Sequence, residues 1–219
     1  MTIRLAEPEA MALEGFCRRQ LRWDDQMPAR IVTTGTAIGM FTAPPMDVLV
    51  FVAVPVLPHD DHAPLDVTVS LQGWADMLRD RSNGDLDPAS LARREVSVSA
   101  TTGIAHLPPS EGWQVPMFAL SGDLVPMVDA ATAEYQARSV GFTPRGQETV
   151  ADEIWGRATW GGLPLRALHA ARQLGMLAND SSRVSATTCG PWKRLSTTRG
   201  QVFVHATGPT ARLSLHVVR

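Results

Sequence analysis

The stretch LDVTVSLQGWADMLRDR, residues 65–81, sets the architecture. Asp66 to Val69 reads as extended backbone, and Ser70 stands where a helix N-cap belongs. From there Leu71, Trp74, Ala75 and Leu78 recur at helical spacing and form one apolar stripe, at about 100° per residue. Ser82-Asn83-Gly84-Asp85 ends the helix. A strand therefore runs straight into an amphipathic helix. Such a unit needs a sheet to receive the strand and other elements to cover the stripe.

The preceding residues supply both. Residues 7–23 are expected as a helix, because Pro8 suits a first turn and Glu7 and Glu9 favour the positive end of the helix dipole. Its Leu13, Phe16, Cys17 and Leu21 gather on one side and Arg18, Arg19 and Arg22 on the other. Residues 2–5 read as a short strand. Residues 30–41 read as one strand with Gly35 and Gly39 at bends. Residues 47–57 form a second strand, apolar enough for a central position or burial on both faces.

The second half repeats the theme. Residues 114–119 read as a strand leading into a helix at 121–138, capped by Ser121, with Leu124, Met127, Val128, Ala131 and Tyr135 along one side. Residues 148–157 are expected as a helix, Gly161-Gly162 as a break, and 163–177 as a helix entered at Pro164, a second strand-to-helix turn echoing 65–81. Residues 183–188, 193–197, 201–206 and 211–218 alternate as an antiparallel meander. Between the halves lie a helical turn at 88–93, a strand at 95–100 and the turn-forming linker PPSEG at 108–112. With no regular βαβ alternation, the class is α+β, divided into units 1–112 and 113–219.

The formal charge is −2, so no whole-molecule field draws this chain to nucleic acid or an anionic membrane. Any such contact must come from local clustering. Lys193 is the single lysine among 20 basic residues, the codon bias of a GC-rich bacterial genome, so arginine at a given position carries little weight. Two cysteines, Cys17 and Cys189, without a signal peptide or a membrane-length apolar run, point to reduced thiols and a cytoplasmic protein.

The order of elements resembles the processivity sliding clamps. TIRLAEPEAMALEGFCRRQ, ARIVTTGTAIGMF with MDVLVFVAVPVL, and LDVTVSLQGWADMLRD resemble the opening strand and helix, the strand pair and the second helix of one clamp domain. LPPSEGWQVPMFALSGDLVPMVDAATAEYQA resembles the interdomain crossover and the next domain's first helix. LPLRALHAARQLGML and RVSATTCGPWKRLSTTRGQVFVH resemble that domain's second helix and closing strands. Residues 141–162 depart from it, since a clamp repeat has strands where a helix is expected here.

The resemblance implies a ring or half-ring whose helices line a DNA channel and whose outer sheets bind partner peptides. It implies a non-enzymatic, DNA-associated or scaffolding protein of replication or repair, without a cofactor, with protein partners and self-association. Such a channel needs a basic helix face, because phosphates reward arginine regardless of sequence. Arg18, Arg19 and Arg22 supply one, and Arg166 and Arg172, with His169, part of another. The helix after Ser70 presents Asp76 and Asp80 instead, and that at 121–138 presents Asp129 and Gln136.

Other chemistries have thinner support. His59-Asp60-Asp61-His62 has metal-binding residue types, but it sits in a Pro-flanked loop with no distant ligand and reads better as a solvated loop. It would serve a small metal-dependent hydrolase. No nucleophile elbow, zinc-protease, CxxC or P-loop motif is present, and Cys189 has no evident activating base. Residues 148–177 also admit a helix-turn-helix reading. A regulatory or protein-interaction module without DNA contact, using an exposed apolar edge, is the other class. The six tryptophans read mainly as packing residues.

Overall fold

The computed structural model describes residues 2–58, 64–80, 85–92 and 103–206. In chain order the elements are α1 (Glu7–Leu21), β1 (Pro28–Thr34), β2 (Ala37–Thr42), β3 (Leu49–Pro55), β4 (Asp66–Ser70), α2 (Leu71–Arg79), α3 (Pro88–Ala92), β5 (Gln114–Leu120), α4 (Ser121–Ser139), α5 (Pro144–Trp155), α6 (Leu165–Gln173), β6 (Arg183–Cys189), β7 (Trp192–Thr197) and β8 (Gly200–His205). All eight strands join one antiparallel sheet in the order β4-β1-β2-β3-β8-β7-β6-β5. The α+β class expected from the sequence is the observed one.

The two halves of the sheet correspond. Each has a three-strand meander preceded by a helix, α1 before β1-β2-β3 and α6 before β6-β7-β8. Each has an outer strand that runs directly into a helix, β4 into α2 and β5 into α4. The halves meet where Leu49, Val50 and Phe51 pair with Phe203, Val202 and Gln201.

Alternation along these central strands explains why β3 is apolar on both faces. Val50, Val52, Val202 and Val204 belong to the main core, with the buried faces of α1, α2, α4, α5 and α6. Leu49 and Phe203 point the other way, into a smaller core with Ile104, covered by Leu107, Trp113 and Trp192. One sheet face thus carries the helices and the other the crossover between the halves. Residues 108–112 are not a free tether: Pro109 O accepts the Trp113 indole N–H at 2.9 Å, and Trp113 packs on Phe203 at 5.7 Å beneath Arg194.

The opening stretch is as expected. Ser70 Oγ accepts the Gly73 N–H at 3.3 Å, and Leu71, Trp74, Ala75 and Leu78 are buried against α1. A buried polar link adds to the apolar contact: Thr42 Oγ1 on β2 donates to Gln20 Oε1 on α1 at 2.7 Å.

Several expectations need correction. Residues 30–41 are a hairpin rather than one strand, because Gly35 and Thr36 form a two-residue turn. Gly39 is not a bend but a strand residue under the Phe51 ring, where an added Cβ would lie 2.5 Å from a ring carbon. Residues 2–5 reduce to a single bridge, Ile3 with Leu86. The turn at 163 does not echo 65–81: a 3₁₀ turn at Trp160–Gly162 precedes α6, and β5–α4 is the true counterpart. Ser121 is the first helical residue instead of the cap; its hydroxyl donates to Ser182 O, and Asp123 accepts the Leu120 N–H. α5 starts four residues before Glu148, at Pro144, because Thr143 caps it through the Gly146 N–H. α6 stops at Gln173, since Gly175 takes a positive φ of 74°. The strands expected at 95–100 and 211–218 lie outside the described residues.

Trp74 is fully buried between α1 and the sheet. Trp74→Ala should cost about 3–5 kcal/mol, read as a lower urea midpoint with an unchanged slope.

Candidate nucleic-acid interface

α1 and α2 pack side by side, and a shallow cleft of about 550 Å³ between them is lined by Arg18, Arg19, Arg22, Gln72, Asp76 and Arg79. The helical spacing of Leu13, Phe16 and Cys17 turns that face of α1 inward and leaves the arginines toward the cleft. Their surroundings differ. Arg18 pairs with Glu14 one turn back at 2.8 Å. Arg19 donates Nε to the Leu174 carbonyl at 3.1 Å and has no carboxylate partner among the described residues. Arg22 is exposed and, among the described residues, also has no carboxylate partner. On α2, Asp76 is taken up by Arg79 at 2.7 Å and by Gln72 at 2.9 Å, so it offsets the arginines across the cleft less than the sequence implies.

The structure adds a cation that sequence reasoning passed over. Arg199, in the β7–β8 turn, donates Nη1 to the Gly175 carbonyl at 3.1 Å. Burial is the main reason the Arg19 guanidinium is held below its usual pKa; repulsion from Arg199 and Arg22 adds to it. Arg19, Arg22 and Arg199 thus form one positive cluster drawn from both halves of the fold. Only its place as a turn residue was visible in the sequence.

Arg166 and Arg172 do not join it. Arg166 Nη1 sits 2.9 Å from Asp47 Oδ2, tying α6 to the β2–β3 loop, and Arg172 lies 3.4 Å from Asp129 on α4. His169, grouped with them by the sequence, stacks on Trp155 at a centroid distance of 4.0 Å, and burial pushes its pKa down. Five of the nine residues of α6 are buried, and the helix packs on α4, α5 and β8, so it does not lie free as a helix-turn-helix recognition helix would.

The remaining candidates are soon placed. Cys17 is buried at 3.8 Å from the Met40 sulfur, and desolvation raises its thiol to about 12. Cys189 is half-buried, its sulfur 3.6 Å from Glu111 O. The His59–His62 loop lies outside the described residues; among the described residues no three His, Cys, Asp or Glu side chains are grouped to hold a metal.

Where a clamp repeat has strands, α5 packs on α4 and α6 instead. Arg138 and Arg157 each bridge Glu134 on α4 and Glu153 on α5, at 2.5 to 3.0 Å. The two guanidiniums hold both carboxyls down at about 2.

Comparison with known proteins places this geometry. Residues 1–100 match one family model, described as Domain of unknown function (DUF8010), and residues 108–209 match another, Domain of unknown function (DUF8185). No curated protein matches. Among solved structures, the DNA polymerase sliding clamp from Caulobacter crescentus is 11% identical with a TM-score of 0.57, over 100% of this chain and 69% of that one. The sliding clamp from Pseudomonas aeruginosa with ligand is 11% identical with a TM-score of 0.54, over 96% and 66%. DNA polymerase III subunit beta from Borrelia burgdorferi, in complex with a natural product, is 5% identical with a TM-score of 0.55, over 94% and 64%. The chain therefore has the sliding-clamp fold and spans about two thirds of the length of these clamps. No helix among the described residues is long and apolar enough to cross a membrane.

The α4–α5 network sets a pH dependence. Both carboxyls are lowered from 4.5 in the folded protein, so their contribution is complete above pH 4.5 and fades as the pH falls toward 2. The Glu134→Gln, Glu153→Gln double variant should melt below the wild type at neutral pH, and the gap should close on acidification through that window.

Proposed function

We propose that this protein is a non-enzymatic, clamp-like DNA-associated protein, acting as a scaffold in replication or repair, whose phosphate contacts centre on the arginine face of α1. The observation that carries this reading is the pair Arg19 and Arg22. On the helix layer of a sliding-clamp fold, these two guanidiniums stand together with no carboxylate partner among the described residues, beside Arg18. Uncompensated cations on one face gain by displacing the counterions of a phosphate backbone, whatever its sequence. Arg166 and Arg172 take a secondary part, since each must first give up Asp47 or Asp129. The location fitting this role is the cytoplasm. Self-association belongs to the same reading, as part of what the clamp resemblance implies.

A protein-interaction role without DNA contact has its own support. Val115, Met117, Phe118 and Leu120 on β5, with Val140 and Phe142 beyond α4, are large apolar residues left exposed.

Fluorescence anisotropy with short labelled duplexes of unrelated sequence distinguishes the two. Binding should be indifferent to sequence at about 50 mM salt, and each arginine engaged should contribute about 0.9 to the log–log salt slope. Changing Arg18, Arg19 and Arg22 together to Glu should abolish it while leaving the melting transition cooperative. No duplex binding by the wild type at low salt would sink the DNA reading.

A further inference from the structure

A second cleft, on the other side of Arg19, is not used by the DNA reading. It has a volume of about 630 Å³ and lies in the helix layer over the seam between the halves. α1 forms one wall, with Met11 on the rim at 56% exposure. The chain leaving α6, with Leu174 and Met176, and the β7–β8 turn form the other. The floor is the part of β3 beyond the seam.

Three observations define what fits there. First, β3 pairs with β8 only at Leu49, Val50 and Phe51, whereas it pairs with β2 through Pro55. The backbone of Val52, Ala53 and Val54 therefore has a strand on one side only, among the described residues. Second, the apolar lining that a ligand can reach is aliphatic: Met11 on the rim and the half-buried Val54, with Val52 and Met176 buried beneath them. Phe16 is buried, so its ring is no open platform for a nucleobase. Third, Arg19 and Arg199 stand at one end, each with an N–H on a backbone carbonyl and neither with a carboxylate among the described residues. An open strand flank, an aliphatic lining and a pair of guanidiniums match an extended polypeptide carrying a carboxylate better than they match nucleic acid.

We propose that this cleft docks an extended acidic segment of a partner protein, whose aliphatic side chains lie against Met11 and Val54 and whose carboxylate sits between Arg19 and Arg199. The segment runs along the open flank of β3, where main-chain hydrogen bonds set its direction. The site meets the DNA reading at Arg19, which belongs to both clefts, and at Arg199, which stands in the same positive cluster. An acidic segment and a duplex therefore exclude one another at Arg19.

The test is selection of a phage-displayed random octapeptide library on the whole protein. Enriched peptides should alternate aliphatic residues with at least one Asp or Glu. A synthetic, labelled copy of the most enriched peptide should lose about tenfold or more in affinity on Arg199→Glu, the scale of a lost charge-assisted hydrogen bond. It should weaken on Met11→Glu, a rim change that leaves the core intact. Replacing the peptide's acidic residue by Lys should restore binding to the Arg199→Glu protein and not to the wild type. No enrichment, enriched peptides lacking an acidic residue, or affinity untouched by both variants would overturn the proposal. Duplex binding by the Met11→Glu protein, whose change lies outside the arginine cleft, reports on the DNA reading separately.

Discussion

Three residue pairs hold this molecule together as one sheet. Leu49 with Phe203, Val50 with Val202, and Phe51 with Gln201 join two meanders that are each complete without the other. So short a seam gains its strength from what its side chains do on either face. Val50 and Val202 enter the helix-covered core, while Leu49 and Phe203 enter the smaller core beneath the crossover. Loss of the seam would expose both at once, so the helix layer and the crossover depend on it. Gly200 marks how closely the halves approach: an added Cβ there would lie 2.6 Å from the Phe51 carbonyl oxygen.

That dependence explains why the arginine cluster gathers at the boundary. Arg19 comes from α1 and Arg199 from the β7–β8 turn, yet they donate to the adjacent carbonyls of Leu174 and Gly175. These carbonyls close the C-terminal end of α6, where unpaired acceptors and the helix dipole both favour cations. The Arg19 contact fastens the first half to the second, and the Arg199 contact, within the second half, sets an exposed guanidinium beside it. Attachment between the halves and positive charge meet in one side chain, Arg19.

Much of this was legible in the sequence, for reasons that can be stated residue by residue. Ser70 and the stripe of Leu71, Trp74, Ala75 and Leu78 announce α2 because capping and periodicity are local properties. The arginine face of α1 follows from spacing alone. The hairpin at Gly35-Thr36 was missed because uninterrupted β-branched residues flank it and mask the turn. The α6 turn was mistaken for the repeat because its helix is locally similar to α2, whereas the true counterpart, β5–α4, is defined by sheet position, which no local pattern records. The neutralisation of Arg166 by Asp47, 119 positions away, and the arrival of Arg199 beside Arg19 are long-range events of the same kind.

The outer edge of β5 has a bearing on how the protein behaves in concentrated solution. Its Val115, Met117, Phe118 and Leu120 are exposed, a composition that in a flat edge strand invites other sheets to add on and polymerise. The strand is not flat. Pro116 lacks an N–H to offer, Val115 has a positive φ of 51°, and the register with β6 shifts between Gln114 and Met117. Half of the edge is thereby spoiled as a template while its apolar side chains stay on display. Contact through side chains remains open there, but indefinite stacking of one sheet on the next is discouraged, and the chain can keep a greasy margin without turning into a filament.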